Sequence, residues 1–172
     1  MSNTRILLLT ILVMLVAMVY VASAADHAYI GGAKCAMCHK LAKGGQTWQV
    51  WEASEHAKAF ESLKADQGET TNPKCLKCHT TGYGQGGYPP ADTTINLKGV
   101  QCEECHGPAS DYKLTHTKAD TKEKAVTEGG LIEKPDEKTC LKCHNDENPN
   151  KPSEPWDFAK MWEKIKHGLS QE

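Results

Sequence analysis

The sequence contains one short pattern, Cys-x-x-Cys-His, four times in 172 residues. It lies at residues 35–39, 75–79, 102–106 and 140–144, and it includes all eight cysteines and four of the eight histidines. Two thiols at this spacing add to the two vinyl groups of one haem, and the next histidine is then placed to bind the iron. The pattern therefore predicts four covalently bound haem c groups. The predicted thioether residues are Cys35, Cys38, Cys75, Cys78, Cys102, Cys105, Cys140 and Cys143, and the predicted proximal ligands are His39, His79, His106 and His144.

Two other kinds of site use paired cysteines. Cys-x-x-Cys units can form tetrahedral zinc sites, and an even number of cysteines in an exported chain is compatible with structural disulfides. Both interpretations leave the histidine after each second cysteine without a role. Because only 8 of 172 residues are histidine, four such placements by chance have a probability of about one in 10^5. The pattern therefore favours haem attachment.

The first 24 residues have the features of a secretory signal peptide. One positive charge, Arg5, precedes the apolar residues 6–21, and the small residues 22–24 follow. The apolar run is shorter than the roughly 20 residues that a membrane-spanning helix needs; an uncleaved N-terminal anchor is the alternative. Cleavage after Ala24 leaves residues 25–172 as one tetrahaem domain that is periplasmic or otherwise exported. This agrees with c-type haem attachment, which takes place outside the cytoplasm.

The mature chain is short for a protein with four haems. Removing 24 of the 172 residues leaves 148, or 37 for each haem, and these include only two Phe and four Trp. Porphyrins must then supply most of the apolar bodies that a core of side chains would otherwise provide. We expect a mainly α fold of helices and loops wrapped around four closely packed haems, which does not fold without them.

The charge of the mature chain is negative. Arg5 is the only arginine, so residues 25–172 contain 19 Lys against 22 Asp and Glu, a formal charge of −3. Four haems would add eight propionates. An acidic protein of this kind is expected to dock on a basic face of a protein partner, and the composition does not favour nucleic acid as a partner.

Two helices are predicted outside the motifs. Residues 47–64 place Trp48, His56 and Phe60 on one face, so His56 is expected to point inward and to serve as a sixth ligand of one iron. Residues 155–169 form a second amphipathic pattern, with His167 opposite its apolar stripe. His167 is therefore a weaker ligand candidate, unless the helix ends near Gly168.

The kind of axial ligand follows from elimination. The mature chain has two methionines: Met37 lies inside the first motif, and Met161 lies on the apolar stripe of the last helix. The histidines outside the motifs number four, for four irons. Bis-histidine haems are therefore expected, with potentials below those of histidine–methionine cytochromes. These candidate distal ligands are His27, His56, His116 and His167.

The chain resembles the tetrahaem cytochrome c-554 of ammonia-oxidising bacteria and its relatives. The resemblance lies in GGAKCAMCHK and SEHAKAFESL within residues 31–63, in CLKCHTTGYGQGGY at 75–88, in LKGVQCEECHGPASDYKLTH at 97–116, and more loosely in residues 140–167. It implies a compact helical electron-transfer protein with closely spaced haem pairs. In this family, hydroxylamine oxidoreductase is the electron donor, and membrane cytochromes accept the electrons. The resemblance also implies distal ligands: His116 for the haem of His39, His56 for that of His144, and His167 for that of His106.

The chain departs from the family in ways that leave its function open. His167 lies two residues earlier than the family's ligand, and the segments between the motifs are shorter. The family's second haem, here held by His79, is five-coordinate, yet His27 lies on a terminal arm that we expect to be flexible and to reach that haem. The glycine-rich residues 80–90 after the second motif are either a mobile loop beside this haem or a plain connection. An electron carrier is therefore expected, and the alternatives are a nitrogen-oxide reductase with an open second haem and a polymeric filament linked through His27.

Overall fold

The computed structural model describes residues 27–148 and 155–168. The predicted signal peptide, residues 1–24, lies outside this part of the chain. The described residues form seven α-helices: α1 (Gly32–His39), α2 (Thr47–Glu52), α3 (Pro73–His79), α4 (Cys102–His106), α5 (Ala119–Thr127), α6 (Glu137–Leu141) and α7 (Phe158–Ile165). Short 3-10 helices lie at Ala42–Gly44, Ala65–Gln67 and Glu69–Thr71. Within the described residues no strand forms, and an isolated antiparallel bridge joins Thr80 to Lys98. The predicted mainly α fold is confirmed.

The haem motifs lie on or at the ends of short helices. The helices α1, α3 and α4 each end at the motif histidine, whereas α6 ends at Leu141 and the fourth motif continues into a turn. Asn72 caps α3 by accepting a hydrogen bond from the Lys74 N–H at 3.0 Å, with Pro73 at the first helical position. In a helix, residues three and four apart lie on the same face. The two cysteines and the histidine of each of these three helical motifs therefore face the same side.

The predicted helix over residues 47–64 is wrong in its length, because α2 ends at Glu52. The chain continues through consecutive turns in which most of the hydrogen-bonded N–H groups donate three residues back, such as Lys58 to Glu55 and Leu63 to Phe60. The His56 carbonyl accepts from the Ala59 N–H and, at 2.9 Å, from the Val100 N–H, and the Trp51 indole donates to the Val100 carbonyl. In a continuing α-helix the His56 carbonyl would accept from the Phe60 N–H, but here it accepts from Ala59 and Val100 instead. His56 is nevertheless half-buried, as the predicted face required.

The last helix is also shorter than predicted. The side chain of Asp157 caps α7 by accepting from the Lys160 N–H at 3.1 Å. Lys166 has ψ 136 and leaves the helix. His167 therefore lies beyond the helix, so a helical wheel does not predict the direction in which its side chain points.

Few apolar side chains are buried. The buried hydrophobic residues among those described are Tyr29, Leu76, Leu97, Ala109, Tyr112 and Ala125. Large apolar side chains remain exposed, and several lie at or near the haem motifs: Met37, Leu41, Leu114, Ile132 and Leu141. These surfaces are where large apolar groups would have to pack. None of the helices in residues 27–148 and 155–168 is long and apolar enough to cross a membrane.

The glycine-rich residues 80–90 pack against the protein at residues 80–82 and 87, whereas residues 84–86 are exposed. Thr80 and Thr81 are fully buried, and the Tyr88 N–H donates to the Thr81 carbonyl at 3.0 Å. Gly82 has φ +70, and a Cβ at this position would lie 2.5 Å from the ring of Tyr29. Only glycine fits here, because both the backbone conformation and the ring exclude a side chain.

Candidate functional site

Three of the four motif histidines each face a histidine from outside the motifs. His39 and His116 stack with ring centres 6.0 Å apart and planes inclined by 12°. The other two pairs have the same separation of 6.0 Å with steeper inclinations. These are His56 with His144 at 64° and His106 with His167 at 61°.

The spacing of these pairs fits axial ligation of a haem iron. An imidazole nitrogen binds a metal ion at about 2 Å and lies about 1 Å from its ring centre, so two imidazoles on opposite sides of one iron have centres about 6 Å apart. A pair is sufficient, because a porphyrin supplies the other four nitrogens. Among residues 27–148 and 155–168, no group of three or more His, Cys, Asp or Glu side chains is arranged to hold a metal ion by itself.

Hydrogen bonds orient several of these rings. When Nδ1 of a histidine donates to a backbone carbonyl, Nε2 is left without a proton and is available to a metal. Four of the motif and distal histidines make this contact. The pairs are His79 with the Ala59 carbonyl at 2.5 Å, His106 with Ile132 at 2.8 Å, His116 with Tyr112 at 2.8 Å and His167 with Ile165 at 3.0 Å.

Burial favours the metal-binding form of four of these rings, those of His39, His56, His106 and His144. It lowers the pKa of His39, and the neighbouring His116 lowers it further. Burial likewise lowers the pKa of His56, with a further contribution from His144. The pKa values of His106 and His144 are lowered mainly by burial as well. A neutral imidazole is the metal-binding form.

His79 differs from the other motif histidines, because its ring has no histidine partner among the described residues. Its Nδ1 is oriented by the Ala59 carbonyl, with the Ser62 hydroxyl at 3.4 Å. The candidate haem site at the second motif therefore has one histidine, whereas each of the other three sites has two.

His27, the predicted ligand of the second haem, lies elsewhere. Its Nδ1 is 2.7 Å from Oδ2 of Asp111, and its ring packs against Gly130. Ala28 and Ser110 exchange two hydrogen bonds beside it, at 2.9 and 3.1 Å. In this structure the segment from His27 onward contacts the chain that follows the third motif, and His27 does not lie beside His79.

The thiols show the spatial order of the motifs, and all eight are free. Cys35 of the first motif shares a hydrogen bond with Cys102 of the third. Cys143 of the fourth motif has its pKa raised by burial and by the neighbouring Cys78 of the second. Burial, with Glu104 and Cys140 nearby, raises the pKa of Cys105 to about 11. The order in space is therefore first, third, fourth and second.

Two side chains join the third motif to the first. Glu103, inside the third motif, accepts hydrogen bonds from the Gly31 N–H at 2.7 Å and the Ile30 N–H at 3.0 Å, just before α1. Gln101 accepts from the Gly32 N–H at 2.6 Å. Both residues are buried.

The sequence analysis did not identify either side chain. A glutamate between two haem cysteines is ordinarily solvent-exposed, and the signal that could have revealed this one is the Gly31–Gly32 pair, whose bare backbone allows close approach.

Known proteins resemble this chain in sequence. The family model described as "Cytochrome c554 and c-prime" matches residues 34–107. The chain is 32% identical over 160 residues to cytochrome c-554 of Nitrosomonas europaea, a match that covers 80% of this chain and 64% of the relative. The chain thus spans slightly less than two thirds of that relative's length. No solved structure matches the chain.

Proposed function

We propose that this chain, whose residues 34–107 match the cytochrome c554 family as the sequence resemblance predicted, is an exported electron-transfer protein with four haem c groups. Haem, when bound, supplies a one-electron couple between ferric and ferrous iron. The observation that carries the proposal is the separation of 6.0 Å in three histidine pairs, each joining a motif histidine to one outside the motifs.

Each protein residue has a defined part in this proposal. The eight motif cysteines form the thioether bonds. His39 with His116, His106 with His167, and His144 with His56 supply both axial positions of the first, third and fourth haems, which agrees with the pairing that the family resemblance implies. An iron with two protein ligands has no position for a substrate, so these three sites favour electron transfer over catalysis.

The redox partners are proposed from charge and from the family. The mature chain carries 19 Lys against 22 acidic residues, so a basic face on the donor or acceptor would be attracted to it. A hydroxylamine oxidoreductase is the proposed donor by analogy with the family, and a membrane or soluble cytochrome is the proposed acceptor.

The cofactor load tests the proposal. Because every cysteine lies in a haem motif, the intact mass of the exported protein is expected to equal residues 25–172 plus four haems, with no thiol that can be titrated. A redox titration of the same sample is expected to take up four electrons, and the reduced protein is expected to pass them to an oxidised partner cytochrome in stopped-flow mixing. A mass short of four haems, or a reduced protein that does not exchange electrons, would contradict the proposal.

The second haem supports a second candidate function. His79 faces no other histidine among the described residues, while His27 is bonded to Asp111. We propose that this iron keeps one position open and binds small molecules such as nitric oxide. A nitrogen-oxide reductase activity at that position is the alternative to a purely electron-carrying role.

An EPR spectrum distinguishes an open second haem from a closed one. We expect the oxidised wild type to show one high-spin and three low-spin haems, because three sites have two histidines and one site has His79 alone. We expect His27→Ala to leave the high-spin signal unchanged. A wild type that is entirely low-spin, with a high-spin haem only in His27→Ala, would instead make His27 the sixth ligand; conversion of an oligomer to monomers by this change would place the ligand on a neighbouring subunit.

A further inference from the structure

We propose that Glu103 is a redox-tuning residue: a fixed, buried negative charge between the first and third haem sites that lowers the reduction potentials of the haems bound there. The proposal rests on the haem binding proposed above. Glu103 is not among the proposed iron ligands, because its carboxylate is bonded to backbone N–H groups, so it acts as an electrostatic residue.

The geometry holds the carboxylate in one place. Glu103 is 1% exposed, and three backbone N–H groups donate to it: Gly31 at 2.7 Å, Ala109 at 2.8 Å and Ile30 at 3.0 Å. Backbone N–H donors stabilise the charged form of a carboxyl group. No cation forms an ion pair with Glu103 in the described part of the chain, so its charge is balanced only by these dipoles.

The position of Glu103 puts this charge at a haem junction. Glu103 follows Cys102 of the third motif directly, and Gly31, its donor at 2.7 Å, precedes the helix that carries Cys35 of the first motif. The two thiols share a hydrogen bond. The carboxylate therefore lies where the two haem-bearing helices meet.

Buried groups of the same junction lie close enough to interact electrostatically with Glu103. The pKa of Cys35 is raised by its hydrogen bond with Cys102 and by burial, and the charge of Glu103 raises it further. Burial also raises the pKa of Tyr112, with a contribution from Glu103. Lys113 acts in the opposite direction on Cys35.

A buried charge acts strongly, because protein screens it less than water does. Net charge near an iron is one of the factors that set a haem potential. A negative charge favours the ferric state, which carries one more positive charge than the ferrous state. Removing it is therefore expected to raise the potential.

The experiment is an EPR-monitored redox titration of exported holoprotein carrying Glu103→Gln. The first and third haem signals are expected to titrate at higher potential, with the ferrous-to-ferric ratio at the wild-type midpoint raised roughly tenfold, which corresponds to about 59 mV for one electron. The ring inclination of 12° distinguishes the first site, because the EPR signal of a bis-histidine haem depends on that angle. The third and fourth sites have similar inclinations of 61° and 64°, so one of their two signals is expected to shift and the other to stay unchanged.

Two further variants separate charge from structural damage. Lys113→Gln removes a cation near the first site without touching the hydrogen bonds of Glu103, so the first haem is expected to titrate at lower potential, opposite in sign to Glu103→Gln. Glu123→Gln makes the same charge change on the exposed side of α5 and is expected to leave all midpoints unchanged, since solvent screens an exposed charge.

The possible outcomes are distinguishable. Wild-type protein with fewer than four haems contradicts the proposed function. Four haems with unmoved midpoints in Glu103→Gln, or shifts of the same sign in Glu103→Gln and Lys113→Gln, overturn the tuning role alone. If Glu103→Gln loads too few haems, Lys113→Gln decides: a lower first midpoint supports charge control at this junction, and an unchanged one overturns it.

Discussion

A chain produced without haem attachment is expected to remain unfolded. The described residues bury only six hydrophobic side chains, and two of these are alanines. By contrast, Leu114 is 75% exposed two residues before His116, and Met37 is 64% exposed inside the first motif. Without porphyrins to cover them, these apolar side chains stay exposed to water. The chain then lacks the buried apolar contacts that stabilise a domain of this size.

The comparison uses two preparations of the same sequence. Residues 25–172 expressed in the cytoplasm, without haem ligation, are expected to give a far-UV circular dichroism spectrum of a disordered chain and no cooperative thermal transition. The exported holoprotein is the control and is expected to melt cooperatively, with a free energy of unfolding in the usual range of about 5–15 kcal/mol. A sigmoidal transition in the haem-free chain would show that the side chains alone suffice.

Replacing a distal histidine by methionine is expected to raise the potential of one haem by on the order of 0.1 V, within the roughly 0.8 V range over which axial ligands tune haem iron. A thioether favours ferrous iron more than imidazole does. His116→Met is expected to act on the haem of His39, whose ring it faces at 6.0 Å. His56→Met is expected to act on the haem of His144.

His27→Met is the matched control for these two variants. It makes the same chemical change at a histidine whose Nδ1 contacts Asp111, so all four midpoints are expected to overlay those of the wild type. Titrations of His116→Met and His56→Met that also overlay the wild type would remove both residues from the set of proposed ligands. A shift in His27→Met would instead add His27 to that set.

The motif spacing identified the candidate haem-binding residues, because the covalent chemistry of haem fixes residue type and order within five residues. The helical class followed from the same reasoning. The helix at 47–64 was predicted too long, because the apolar periodicity of the sequence continues past Glu52. In the structure the Val100 N–H donates to the His56 carbonyl, and the helix has already ended. Hydrophobic periodicity depends only on the residues of one segment, so it does not reveal a hydrogen bond from a residue 44 positions later in the sequence.

The sequence limited the distal ligands to four histidines, but their partners depend on tertiary structure. His27 and His56 looked alike in the elimination argument, since each is a spare histidine. The structure separates them: His56 faces His144, whereas His27 contacts Asp111. Buried Glu103 was not predicted either, because its burial depends on the backbone N–H groups of Ile30 and Gly31, more than 70 residues earlier.

The spatial order of the motifs has a consequence for assembly during synthesis. The first and second motifs leave the ribosome early, yet they lie at the two ends of the row, while the third and fourth fill its interior. The third site faces His167, near the last described residue. The residues of the two end sites are therefore synthesised before those of the two inner sites. A chain truncated after the second motif would therefore contain only the two end sites and neither of the inner sites that lie between them.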